Sequence, residues 1–176
     1  MGTTITPRTA APSTWAARLF SFPNPVNEVS ARLVAGGVVL MAFATIVLDQ
    51  PWLTVVIAYG FVARALTGPK LSPLGQLVTR VITPRLPVAP KLVAGPPKRF
   101  AQGMGAVLSI AAVVAAFGVG ETGVARVLAG GIVVAATLES VFSLCIGCKV
   151  FAGLMRVGVV PERICLECAD LGARRT

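Results

Sequence analysis

The chain has 176 residues, of which 55% are hydrophobic and only 13% charged, and its mean hydropathy is +0.81. Soluble domains carry about 25% charged residues, so this composition excludes an ordinary water-soluble globule and points to one compact helical unit in lipid. The net charge is +9 with no histidine, but the basic residues gather in connectors without an aromatic-interleaved pattern, which argues against nucleic-acid binding.

Residues 1–23 lack the apolar core of a secretory signal and read as a flexible tail, with Trp15, Leu19 and Phe20 at helical spacing beside Arg18 as a candidate interfacial turn. A membrane domain is predicted over residues 24–155, with spans at about 31–48, 52–66, 100–119 and 124–144. Asn24, Pro25, Asn27 and Ser30 precede the first span, and Asp49-Gln50-Pro51 closes it. The second is short, with Trp52 expected at one interface and Arg64 snorkelling to the other.

Ser72-Pro73 then offers a cap and a proline at a first helical position. Leu74, Leu77, Val78 and Val81 follow at helical spacing, predicting a cytoplasmic amphipathic helix over Pro73 to Ile82. Pro84 to Pro97, with five prolines, reads as an extended connector whose cations face anionic headgroups of membrane lipid. The third span opens at Phe100, and Gly120 to Gly123 forms a tight turn. The fourth opens near Val124 and stays apolar to Leu144, and its helical pattern can continue past the first cysteines to Met155. Arg32 and Arg99 each stand four residues before a glycine at the start of a span, a faint sign of duplication.

The two short turns hold Asp49 and Glu121 and no lysine or arginine, whereas tail, central connector and C-terminal segment, counted with the adjoining span ends Arg32 and Arg64, hold 15 of the 16 basic residues. The exception is Arg126. The positive-inside pattern places both termini in the cytoplasm and the protein in the cell membrane.

Ser72-Pro73-Leu74-Gly75 with Pro84-Arg85-Leu86, Arg99-Phe100-Ala101-Gln102-x-x-Gly105, and Cys145-Ile146-Gly147-Cys148-Lys149 cover roughly residues 25 to 155. In these motifs the chain resembles an uncharacterised bacterial family of small four-helix membrane proteins, domain of unknown function 4395. The resemblance implies the four-helix fold. It also implies a link to thiol or sulfur chemistry, since such proteins are often encoded near thioredoxin-like and rhodanese-like proteins.

All four cysteines fall in two C-x-x-C pairs, Cys145/Cys148 and Cys165/Cys168, with sixteen residues between the pairs. That spacing suits a four-thiolate zinc site. Pro161 is expected to open a short C-terminal helix carrying the second pair, and residues 156–176 form a cytoplasmic cysteine-bearing tail. A dithiol that exchanges with a thioredoxin-like or rhodanese-like partner is the competing reading, and buried inert thiols a third. With Cys145 and Cys148 at the C-terminal end of a long helix, the dipole would disfavour a thiolate, which tilts the sequence reading toward metal.

Glu139 is the one acid well inside a span, about six residues and 120° from Cys145, so it is not placed in the thiol site. Arg126, Arg64 and Gln102 are its candidate partners. These intramembrane polar groups allow a third reading, a carrier for sulfide or a small sulfur anion. Any path would then require a homo-oligomer, with the glycine pairs at 36/37 and 130/131 as contact faces. No catalytic residue is assigned; without histidine no hydrolase constellation can be built. The sequence therefore predicts an all-α polytopic integral membrane protein with four transmembrane helices, an amphipathic helix and a short C-terminal helix. Its four-cysteine centre is expected to bind zinc or another thiolate metal as a scaffold or adaptor.

Overall fold

The computed structural model describes residues 14–15 and 19–160. Helices α1 (Glu28–Val47), α2 (Leu53–Thr67), α4 (Gly95–Val113) and α5 (Thr122–Phe142) form an antiparallel bundle in which α1 packs chiefly on α5 and α2 on α4. A wider turn, Val114–Val119, extends α4. Strands β1 (Val26–Asn27) and β2 (Leu92–Val93) pair antiparallel and tie the entry of α1 to the entry of α4. The short α3 (Pro73–Gln76) lies in the central connector, and α6 (Ile146–Arg156) follows α5.

The protein is a helical integral membrane protein. Three helical stretches are long and apolar enough to cross a bilayer: Glu28–Val47, Gly95–Val119 and Thr122–Phe142. Their outward faces carry exposed Leu40, Phe43, Val107, Phe117, Val127 and Val134, a surface that suits lipid. The inner faces meet in a core of small and branched residues, among them Val38, Ala42, Ile57, Ile132 and Ala136. Small side chains let helices approach where lipid supplies no hydrophobic drive. Hydroxyls within the bundle turn back on their own helices: Thr45 donates to the Met41 carbonyl at 2.9 Å and Ser109 to the Gly105 carbonyl at 2.7 Å.

Three expectations change here. The third span begins at Gly95, five residues before Phe100, because Pro96 and Pro97 occupy a first helical turn whose N–H groups have no acceptor anyway. This draws Lys98 and Arg99 from the connector into the helix. The stretch Pro73 to Ile82 is helical over its whole length, as expected, but not uniformly α. It is α3 followed by a wider turn, Leu77–Ile82, and a tight one, Thr83–Arg85. Leu74 and Val78 face the bundle while Leu77 and Val81 are exposed. Gly36 and Gly37 are spent inside the protein, against the Ser140 hydroxyl and the Leu74 side chain, rather than on an outer face; Gly130 has open space before it.

The faint arginine repeat has a structural counterpart. Arg32, at the start of α1, donates from Nε to the Ser140 carbonyl at 2.9 Å and from a terminal nitrogen to the Val141 carbonyl at 3.1 Å. Arg99, at the start of α4, donates to the Ala65 carbonyl at 2.9 Å. Each arginine thus covers carbonyls at the C-terminal end of the helix it packs against, where those groups lack intrahelical donors.

Candidate functional site

The fourth long helix does not run through the cysteines. It stops at Phe142; Ser143 takes a left-handed conformation (φ 57°), and the N–H of Leu144 returns to the Leu138 carbonyl at 3.0 Å. A Leu144 to Cys145 link then starts α6 afresh, with Cys145 as its N-cap: the Cys148 N–H donates to Cys145 Sγ at 3.3 Å. Cys145 and Cys148 are joined as a disulfide, their Cα atoms 5.2 Å apart. The pair therefore sits at a helix N-terminus, and the expectation that it ends a helix is corrected. The electrostatics reverse with it. At an N-terminus the peptide dipoles and unpaired N–H groups favour a thiolate, so the reason for preferring metal over redox chemistry is removed.

The two sulfurs have different surroundings. Cys145 is buried, 8% exposed, and faces into the bundle; Cys148 is half-buried. Close contact between α6 and α4 fixes this. A Cβ on Gly147 would lie 2.5 Å from Ala101 Cα, so only glycine lets the turn between the cysteines rest on α4. One turn away the Phe100 and Phe151 rings meet at 5.6 Å between centroids.

The Arg-Phe-Ala-Gln-x-x-Gly stretch is thereby explained residue by residue. Arg99 covers the end of α2, Phe100 holds α6, Ala101 receives Gly147, Gln102 binds Arg64, and Gly105 lies directly under the Phe61 ring. Ser-Pro-Leu-Gly has a similar logic. Buried Ser72 caps α3 by accepting the Gly75 N–H at 3.2 Å, and Leu74 fills the space in front of Gly37.

A buried polar centre lies beside the disulfide. Glu139 pairs with Lys98 at 2.6 Å, not with Arg126, Arg64 or Gln102 as expected, because Lys98 now belongs to the first turn of α4. Arg64, only 5% exposed, does not snorkel outward. It donates from Nε to Gln102 Oε1 at 2.8 Å and from a terminal nitrogen to Ser72 Oγ at 3.1 Å, with its guanidinium over the Phe61 ring. Arg126 is far from this centre, paired with Asp49 at the opposite end of the bundle.

Two cavities flank the Arg64–Gln102 bond. The smaller, about 100 Å³, is lined by Arg64, Gln102, Glu139 and Cys145 among apolar side chains. Glu139 and Cys145 thus share a cavity, contrary to the angular estimate, which assumed one continuous helix. The larger, about 330 Å³, is lined by Arg64, Gln102, Lys98, Ser30, Thr79 and Thr83 with parts of the N-terminal entry. Sequence reasoning missed the pairing of Lys98, the bond from Arg64 to Ser72, whose capping role was expected, and the larger cavity.

Cys165, Cys168 and Pro161 lie outside the described residues, as do residues 1–13 and Arg18. Among the described residues no group of three or more potential metal ligands is assembled. The model of a family described as "Domain of unknown function (DUF4395)" matches residues 26–156. Comparison with curated proteins and with solved structures finds no match.

Proposed function

Because the chain belongs to the DUF4395 family, whose description carries no activity, we propose from its geometry that Cys145 and Cys148 form a redox-active dithiol that exchanges with a thioredoxin-like protein. The observation that carries this reading is the N-cap: Cys145 Sγ accepts the Cys148 N–H at the start of an 11-residue helix. A thiolate there is stabilised by that donor and by the helix dipole.

Exposure assigns the roles. A partner thiolate attacks half-buried Cys148 Sγ, the Cys145–Cys148 bond breaks, and Cys145 leaves as the capped thiolate. A low-pKa leaving group speeds exchange. A second partner thiol then attacks the mixed disulfide, which frees the oxidised partner and leaves Cys148 reduced. Two electrons pass from the partner dithiol to this protein.

The reading includes topology. Four spans, with α2 as the short fourth, put the central connector and α6 on one side of the membrane. The basic connector and the acid-bearing short turns favour the cytoplasm for that side and for both termini. Cytosolic disulfides are mostly transient and catalytic, which fits an exchanging pair better than a structural staple.

The test uses the full chain with Cys165→Ser and Cys168→Ser as background. Cys145→Ser, with Cys148 first converted to its mixed disulfide with thionitrobenzoate, should release thionitrobenzoate and trap a stable mixed disulfide between Cys148 and a reduced thioredoxin-like protein lacking its resolving cysteine, and Cys148→Ser activated in the same way should trap little. Absence of an adduct in both variants overturns the proposal. So does about one zinc per wild-type chain with four unreactive thiols, which would establish the four-thiolate zinc centre instead.

A further inference from the structure

The larger cavity lies at the end of the bundle that carries the disulfide, enclosed by the entry of α1, the C-terminal end of α2, the central connector and the first turn of α4. Its volume, about 330 Å³, falls at the lower bound of ordinary ligand sites, roughly 300–1,000 Å³. Its polar lining is uniform in character. Arg64 and Lys98 supply positive charge, Ser30, Thr79 and Thr83 supply hydroxyls, and Asn27 and Gln102 supply amides; no aspartate or glutamate lines it.

The local charge is also unmatched. Two cations, Arg64 and Lys98, are buried at 5% and 8% exposure beside one carboxylate, Glu139, which Lys98 holds at 2.6 Å. Among the described residues Arg64 forms no ion pair; its hydrogen-bond partners, Gln102 and Ser72, are neutral. A guanidinium offers five N–H donors in a planar fork, and these two partners take one each. No carboxylate among the described residues touches Arg64 directly, so donors of its fork remain open, and a tetrahedral oxyanion is the ligand class that a fork of N–H groups with surrounding hydroxyls matches best.

We propose that this cavity is an oxyanion site, in which Arg64 is the principal ligand and Lys98 and the hydrogen-bonded Ser30–Thr83 hydroxyl pair, which keeps one hydrogen to donate, complete the cradle. The same chemistry is met by a free inorganic oxyanion or by the phosphate of an anionic lipid whose headgroup enters at the membrane surface. The site stands independently of the redox reading, since none of these side chains takes part in the exchange.

The full-length protein purified in detergent is tested in two arms. In the first, delipidated protein is dialysed against radiolabelled sulfate, with thiosulfate and inorganic phosphate as competitors. In the second, phosphorus and lipid analysis of protein reconstituted with phosphatidylglycerol measures tightly held lipid per chain. One saturable anion per chain in the first arm identifies a free oxyanion; one retained phosphatidylglycerol with no sulfate binding identifies the headgroup.

Arg64→Gln should weaken the bound species about tenfold or more, the worth of one charge-assisted hydrogen bond. Thr83→Val, which keeps shape, should weaken it severalfold and carries the test if Arg64→Gln does not fold. Arg126→Gln, at the far end, should leave binding unchanged. No saturable anion in either arm, or equal binding in wild type and Thr83→Val, overturns the proposal.

Discussion

The two ends of the bundle each hold an ion pair that joins two helical regions, and they could hardly differ more in setting. Arg126 and Asp49 meet with 47% and 69% of their side chains exposed, whereas Lys98 and Glu139 meet at 11% and 15%. An exposed pair contributes about 0–1 kcal/mol. A buried pair gains more from attraction but loses more by desolvation, so that well-packed apolar replacements are often as stable. The difference teaches where selection for something beyond stability is to be sought. The Arg126 end needs only to close a turn. The Lys98 end keeps three charges, a cap-bound disulfide and two cavities within one neighbourhood.

The largest effect is therefore expected from Glu139→Gln. It leaves Lys98 and Arg64 buried without their carboxylate, and breaking a buried pair from one side costs about 3–5 kcal/mol. Chemical denaturation in detergent should show the loss as an earlier midpoint. The double variant Lys98→Met/Glu139→Gln, with one cation removed as well, should recover part of it, a coupling that a double-mutant cycle measures directly. A Glu139→Gln protein as stable as wild type would erase the contrast between the two ends.

Much of the scaffold was legible because membrane helices announce themselves through long apolar runs and punctuation by Pro, Gly and charge. The short second helix was found to within a residue at each end, at Leu53–Thr67. The start of the third was missed because Pro96 and Pro97 read as connector, although prolines fit a first turn as well as an extended strand. The break before Cys145 left almost no local mark. Ser143 adopts a conformation that glycine or asparagine would have signalled, and the freed carbonyls at 140 and 141 are covered by Arg32, more than a hundred residues away. A tertiary contact thus decides where the helix stops, and the chemistry of the cysteines depends on that stop. Glu139 was singled out as the acid within a span and stands in the last turn of α5, but its partner and its nearness to Cys145 could not be drawn from a helix that was taken to be continuous.

A middle-sized effect should separate glycines at the two ends. Gly147→Ala places a methyl 2.5 Å from Ala101 Cα, and overpacking against backbone costs about 1–3 kcal/mol. Displacement of α6 would also carry Cys145 away from the polar centre, so the rate at which a small disulfide reagent oxidises the reduced pair should change. Gly123→Ala, near the Arg126 end, meets nothing within 4 Å and lies in α5. It should hold or slightly raise stability, since alanine is the better helix former by about 1 kcal/mol. Equal responses at both positions would show that α6 does not rest on α4 through Gly147.

The smallest effect belongs to the exposed pair. Asp49→Asn should cost at most about 1 kcal/mol, because solvent screens the attraction and two mobile side chains lose freedom in making it. Its coupling to Arg126→Gln, taken from the double variant, should shrink further between low and high salt, as exposed charges do over a Debye length of about 10 Å at 0.1 M. The Lys98–Glu139 coupling, largely shielded by protein, should respond much less to the same change. Salt dependence therefore distinguishes the ends by environment rather than by residue type. If the Arg126–Asp49 coupling proved large and insensitive to salt, that end would have to lie in lipid rather than at its surface, and α1 and α5 would enter the bilayer with both ends submerged.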